Sequence, residues 1–257
     1  MQSGEIRPIP NMLPRKLFTS EHEAFRETVR KFYEKEVVPN IEKYEKQQHV
    51  DRDLWNKAGE LGLFCTTMPE QYGGSGVDRL YSMILIEEQA YAMDSSTGFS
   101  LHSDIVANYI NNFGNEEQKQ KWLPKMATGE TVTAIAMTEP GTGSDLQAVR
   151  TTAALDGDEY VINGSKIFIT NGYLCDMAIV VCKTGNNEKG SANLSLIIVE
   201  ADRAGFSKGK PLNKIGMKGQ DTCELFFDNV RVPKENLLGM QGMGFIMLMK
   251  ELAWERM

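Results

Sequence analysis

The hydrophobic rhythm of the chain changes near its midpoint. Up to about residue 130 apolar side chains recur at helical spacing, whereas from Thr131 they fall into short runs rich in Val, Ile, Thr and Phe, separated by turn pairs. Ser20 and Glu23 have the spacing of a capping box, and Phe25, Val29, Phe32 and Val37 follow on one stripe until Pro39. This predicts one amphipathic helix ending there. A second helix is predicted from Arg52 to Leu61, with Leu54, Ala58 and Leu61 on one face and Gly62 closing it. Residues 79–93, RLYSMILIEEQAYAM, are apolar on nearly every face, which predicts a helix buried among other helices. Asn115 caps EEQKQKWLPKM, the last helix of this half.

In the second half the turn pairs are Asp156-Gly157, Asn163-Gly164 and Asn171-Gly172. Strand-like runs continue through MAIVVCK, SLIIVE and CELFFDNVRV to about Val232, after which helix-forming residues return. The predicted fold class is α+β: an all-helical N-terminal domain (1–130), an antiparallel β domain (131–240), and the first turns of a C-terminal helical domain (241–257). No βαβ alternation supports a nucleotide-binding parallel sheet.

Composition narrows the functions this arrangement can serve. With 257 residues, 41% hydrophobic and 25% charged, the chain can bury a sizeable core. A net charge of −7 offers no basic patch for nucleic acid or for an anionic membrane surface. Cys65, Cys175, Cys182 and Cys223 are scattered and lack histidines at ligand spacing, so no metal site and no disulfide framework is expected. The first sixteen residues lack the apolar core of a signal peptide and no apolar run is long enough to span a bilayer, so a cytoplasmic protein is expected.

Two stretches carry candidate chemistry. In TEPGTGSD, Thr138 to Asp145, closely spaced glycines with Thr142 and Ser144 can turn backbone N–H groups into one concavity, as phosphate cradles do. A third glycine at dinucleotide-fingerprint spacing is missing, and a plain surface turn is the competing reading. In KIFITNG, Lys166 to Gly172, Phe168 and Thr170 fall on one strand face, an aromatic ring beside a hydroxyl that suits a flat cofactor. The competing reading is an ordinary strand.

The segments AIAMTEPGTGSD, VINGSKIFITNG, DNVRVPKENLLG and MPEQYGGSG resemble the acyl-CoA dehydrogenase family in order and spacing, over practically the whole chain. FTSEHEAFRETVRKFYEKEVVP, GFSLHS, KGQDTCELFF and MKELAWER are most similar to its long-chain members. The resemblance implies FAD as cofactor and dehydrogenation of an acyl-CoA thioester between Cα and Cβ, with a carboxylate taking the α-proton and a hydride passing to the flavin. It also implies electron transfer flavoprotein as acceptor and a homotetramer. Ile135, Ala136, Met137, Thr138, Gly141, Thr142, Gly143 and Ser144 would line the flavin, and Phe168, Ile169 and Thr170 would cover its ring. Phe168 stands where many relatives carry tryptophan, which keeps the stacking face and loses an N–H donor. Ser144, Ser191, Ile246, Ala253, Trp254 and Arg256 would touch the acyl-CoA, and Glu255, in the ER pair that long-chain and isovaleryl members share, would be the base.

Family members continue well over a hundred residues further, so the resemblance leads us to expect a shortened copy that exposes apolar helix surface and holds FAD weakly. Rival readings are a dehydrogenase for isovaleryl-CoA or another short branched thioester, an oxidase, and an inactive acyl-CoA-binding fragment.

Overall fold

The computed structural model describes residues 15–185 and 193–256. Helix α1 spans Ser20–Phe32, but its cap is Thr19 and not Ser20. The Thr19 hydroxyl accepts from the His22 N–H while the Thr19 N–H donates to the His22 ring, so His22 takes the part expected of Glu23. Nor does Pro39 end the helical path. A π-helical turn at Tyr33–Val37 and a 3₁₀ turn at Val38–Asn40 lead into α2, Ile41–Gln47. Proline at the start of a tight turn costs no hydrogen bond, and the wide turn explains the five-residue step from Phe32 to Val37.

Helix α3, Arg52–Glu60, buries Leu54 and Ala58 as the pattern placed them, together with Trp55, but Leu61 lies past its end as the C-cap and is about half exposed. Helix α4, Leu80–Tyr91, departs from the expected full burial: Met83 and Ile86 are about half exposed. Its other face carries Glu88, fully buried and paired with Arg30 through two bonds of 2.9 and 3.0 Å. An apolar run with a paired carboxylate on one face leaves its opposite face free for another use. A π-helical segment, Leu101–Val106, continues as α5, Ala107–Phe113, and α6 follows at Glu116–Ala127, capped by Asn115 with Gln118 reciprocating. Buried His102 ties this segment to the next domain, lying 2.9 Å from the Thr133 hydroxyl and donating to the Met126 carbonyl at 3.0 Å.

The described strands are β1 (Thr133–Ala136), β2 (Thr152–Asp156), β3 (Glu159–Thr170), β4 (Met177–Lys183), β5 (Leu194–Glu200), β6 (Phe206–Lys208), β7 (Thr222–Pro233) and β8 (Leu237–Leu238). They form one sheet in the order β6-β7-β3-β2-β4-β5-β8, with β1 beside β4. Antiparallel pairing dominates, but the sheet is mixed, because β1 runs parallel to β4 and β2 meets the end of β4 in parallel. Helix α7, Gly244–Glu255, packs Met247 and Leu248 into the helical core and exposes Ile246 and Met249.

Strand β4 shows why this sheet needs helices. Met177, Ile179 and Val181 enter the core shared with the helices, while Ala178, Val180 and Cys182 enter a second core within the sheet. Successive residues point to opposite faces, so a strand buried on both reads as an unbroken apolar run. Burying each of Met177, Ile179, Val180 and Val181 contributes about 1.5–3 kcal/mol. The four cysteines are buried and free. Among the described residues no group of His, Cys, Asp and Glu could hold a metal ion, and no helix is long and apolar enough to cross a membrane.

Strand β3 corrects two local expectations. Asn163-Gly164 is not a turn: the strand runs through it, with a register shift against β7 between Ile162 and Gly164. A Cβ at Gly164 would meet Thr151 at 2.4 Å, so close approach requires this glycine. Near the strand end Ile167 and Phe168 sit in a bulge between the pairings Lys166–Leu225 and Ile169–Cys223, which breaks the expected alternation of Phe168 with Thr170.

Asn171 follows at φ 60°, a conformation asparagine tolerates. Its side chain donates to the Gly98 and Thr133 carbonyls at 2.9 and 3.3 Å and accepts from Gln220 at 3.1 Å, joining helices to sheet. Asn171→Ala is expected to cost about 2 kcal/mol in urea unfolding, since these buried groups would lose their partners; a change below about 0.5 kcal/mol would contradict the joint.

Candidate active site

The two sequence motifs meet in space. The Ile167 N–H donates to the Thr138 carbonyl at 2.9 Å, drawing the exit of β1 against the β3 bulge. Beneath this contact Lys166, fully buried, donates to Glu139 Oε1 at 2.9 Å and to the Met137 carbonyl at 3.0 Å. Glu139 also accepts the Arg150 and Thr151 N–H groups at 2.6 and 2.9 Å. Burial opposes the charge of both groups. For Glu139, hydrogen bonds from Thr151 and the Lys166 charge prevail and hold its carboxyl below the usual range, whereas burial pulls Lys166 down despite its partners.

The pair pins a loop whose outer side is open. Glu139 and Thr142 exchange backbone hydrogen bonds of 2.9 and 3.0 Å across the Pro140-Gly141 tip, and the Thr142 hydroxyl turns inward to the Ala148 carbonyl at 3.1 Å. Gly141, Gly143 and Ser144 remain exposed. A Cβ at either glycine would meet nothing within 4 Å, and neither adopts positive φ, so the glycines leave space for another molecule without being needed by the turn itself. Beside them Phe168, at φ 60°, is 62% exposed, and Met137, Thr138 and Thr170 are partly exposed. Positive φ and exposure are both unfavourable for a large aromatic residue, and here they coincide. Ile135, Ala136 and Ile169 are core residues and shape the ledge through the backbone.

Two cavities adjoin at Ser100. One, of about 270 Å³, is lined by Gln89, Leu101, Thr170, Met217 and Gln220 among others, with Ser100 at its edge, and mixes hydrogen-bonding side chains with a larger apolar surface. The other is a groove of about 380 Å³ lined by Ser82, Met83, Ile86, Asp104, Trp254 and Glu255, with Ser100 at the junction. Its surface is predominantly apolar. Met83 and Ile86, on the exposed face of α4, are among the residues that line it.

Two carboxyls face this groove, in different settings. Glu255, at the end of α7, is half buried and accepts the Tyr109 hydroxyl at 2.6 Å. Burial raises its carboxyl above the ordinary value; the Tyr109 bond works against that, Glu251 adds to it and Arg256 opposes it. Asp104 accepts the Ser82 hydroxyl at 2.6 Å and is pushed up to about 6 by burial, with Ser82 and Arg79 pulling it down. Trp254 donates its indole N–H to the Asp104 carbonyl at 3.0 Å, and Arg79 stacks 3.6 Å over its ring.

Of the residues expected to touch acyl-CoA, Trp254 and Glu255 line the groove. Ile246 and Ala253 lie on the outward side of α7, Arg256 is exposed at its C-cap, Ser144 is on the exposed loop, and Ser191 falls outside the described residues. Sequence reasoning missed Tyr109, Asp104, Ser82 and Arg79. Tyr109 sits in an apolar stretch and reads as core; only its distant partner at Glu255 gives the hydroxyl a role.

Comparison with known proteins bears on the whole arrangement. A family model for the acyl-CoA dehydrogenase N-terminal domain matches residues 19–130, and one for the acyl-CoA dehydrogenase middle domain matches residues 134–230. The chain is 51% identical over 258 residues to the mitochondrial long-chain specific acyl-CoA dehydrogenase of Rattus norvegicus, a match covering 100% of this chain and 60% of that protein. The crystal structure of acyl-CoA dehydrogenase from Geobacillus kaustophilus is similar with a TM-score of 0.92 and 48% identity, over 95% of this chain and 64% of that one. An acyl-CoA dehydrogenase from Bacillus anthracis, solved complexed with FAD, matches with a TM-score of 0.86 and 39% identity, over 95% of this chain and 42% of that one. The chain therefore spans about 60% of the length of its curated relative.

Proposed function

The chain belongs to the acyl-CoA dehydrogenase family, and on that premise we propose that its two adjoining cavities serve FAD-dependent α,β-dehydrogenation of a long-chain acyl-CoA thioester to the trans-2-enoyl-CoA. The observation that carries this reading is the placement of Glu255: a half-buried carboxyl in an apolar groove that meets, at Ser100, a second cavity lined in part by Thr170. An acyl chain lying along Met83 and Ile86 would present its α-carbon to Glu255. Water is displaced from that surface, so the carboxylate is a stronger base than in solvent, and orientation replaces a bimolecular encounter.

The ledge fits a flavin. Phe168 offers a stacking face, Thr138 and Thr170 offer hydroxyls at its margin, and the open backbone at Gly141, Gly143 and Ser144 offers N–H donors to a pyrophosphate. When bound there, FAD supplies the hydride acceptor. The residues of this chain bind and orient the thioester, exclude water from it, and hold the α-proton at Glu255. On this reading electron transfer flavoprotein takes the electrons, and the working assembly is a tetramer.

The test is a visible spectrum of the purified protein supplied with excess FAD, before and after anaerobic addition of palmitoyl-CoA. The flavin band should bleach, and faster than with isovaleryl-CoA. A bound flavin that stays oxidised with palmitoyl-CoA would overturn the proposed activity. Faster bleaching by isovaleryl-CoA would move the substrate to the short branched class.

A further inference from the structure

Building on the assignment of Glu255 as base, we propose that Tyr109 is its positioning residue: the phenol hydroxyl donates to Oε1 at 2.6 Å and so commits one carboxylate oxygen, leaving Oε2 to receive the α-proton. Tyr109 is suited to this. It is fully buried on α5, packed 6.1 Å from Phe113 between ring centroids, so its hydroxyl cannot swing to another partner without disturbing the core. Burial drives the phenol far above its ordinary value, so it remains a donor throughout any working pH. A buried tyrosine hydroxyl needs a partner, and here that partner is the end of the helix that carries the base.

The other groups around Glu255 do not duplicate this bond. On α7 itself, Glu251 opposes ionisation and is held by Asn112 at 2.9 Å, while Arg256 favours it from the exposed C-cap. Asp104, from the π-helical segment, shares the groove but is bonded to Ser82. Arg79, from the turn before α4, is stacked over Trp254. Tyr109 is thus the group that both fixes an oxygen of Glu255 and favours its ionised form. Removing the hydroxyl raises the carboxyl further above its ordinary value. The base is active when ionised, so the acid limb of activity must move to higher pH.

The experiment compares the flavin-loaded protein with its Tyr109→Phe variant in two measurements. The pH dependence of the anaerobic bleaching rate with palmitoyl-CoA should shift upward by about 1 pH unit, with palmitoyl-CoA affinity unchanged. Carbon-13 NMR of glutamate-labelled protein, with the Glu255 resonance assigned from Glu255→Gln, should show the same upward displacement without substrate. A tyrosine that only fills the core would lower the melting temperature on loss of its hydroxyl and leave both midpoints in place, and that result overturns the proposal. Full activity of Glu255→Gln would instead refute the assignment of the base, while the NMR titration would still report on the Tyr109 bond.

Discussion

Glu255→Gln should leave palmitoyl-CoA binding intact and slow anaerobic bleaching of the flavin by about 10²–10⁴-fold, the usual contribution of a positioned base. Glutamine preserves the shape of the side chain and can keep an oxygen toward Tyr109, which donates at 2.6 Å in the native protein. What it cannot do is accept a proton. Asp104→Asn is the natural control, since Asp104 is the other carboxyl lining the groove and is bonded to the Ser82 hydroxyl at 2.6 Å. Stopped-flow spectra at matched substrate saturation separate the two. If the asparagine variant stops bleaching while the glutamine variant proceeds at the native rate, the base is Asp104 and the orientation of the acyl chain must be reversed.

Glu139→Ala carries the largest expected loss of stability, about 3–5 kcal/mol, because it leaves the ammonium of Lys166 buried with only the Met137 carbonyl as partner. It also strips the Arg150 and Thr151 N–H groups of the carboxylate they share. Urea unfolding of the flavin-free protein reads the loss, and flavin titration reads its consequence for the loop from Thr138 to Ser144. The double variant Glu139→Leu with Lys166→Met should recover a large part of the stability, since apolar replacement of a buried ion pair is often neutral or better. It should not restore the native flavin affinity, because the loop needs the pair for its position. A single variant that loses less than about 1 kcal/mol would contradict this expectation and show that Lys166, whose pKa burial lowers, sheds its proton at little cost.

The division between what was legible in the chain and what was not follows the range of the interactions involved. Helix and strand classes, the change of class near Thr131, helix α3 and the Asn115 cap depend on neighbours three or four residues away, and a linear pattern contains them. The family resemblance was equally legible, because its motifs are contiguous. Errors arose where a local signal had a second solution. The first cap went to Thr19 because His22 served as well as Glu23, Pro39 was absorbed by a tight turn, and Asn163-Gly164 became a point of close approach inside a strand. The apolar run on α4 gave the right helix and the wrong environment, since periodicity cannot say whether an apolar face meets protein or a groove awaiting a ligand.

The sequence by itself determined the main helices and strands and the change of class between them, and the family resemblance named the candidate base. Tertiary structure alone decided that Phe168 stands out from a bulge, that Lys166 is buried against Glu139, and that Tyr109 reaches Glu255 across 146 residues of chain. Those relations pair side chains with no periodic connection between them. They exist only once two hydrophobic cores have closed and fixed the distances.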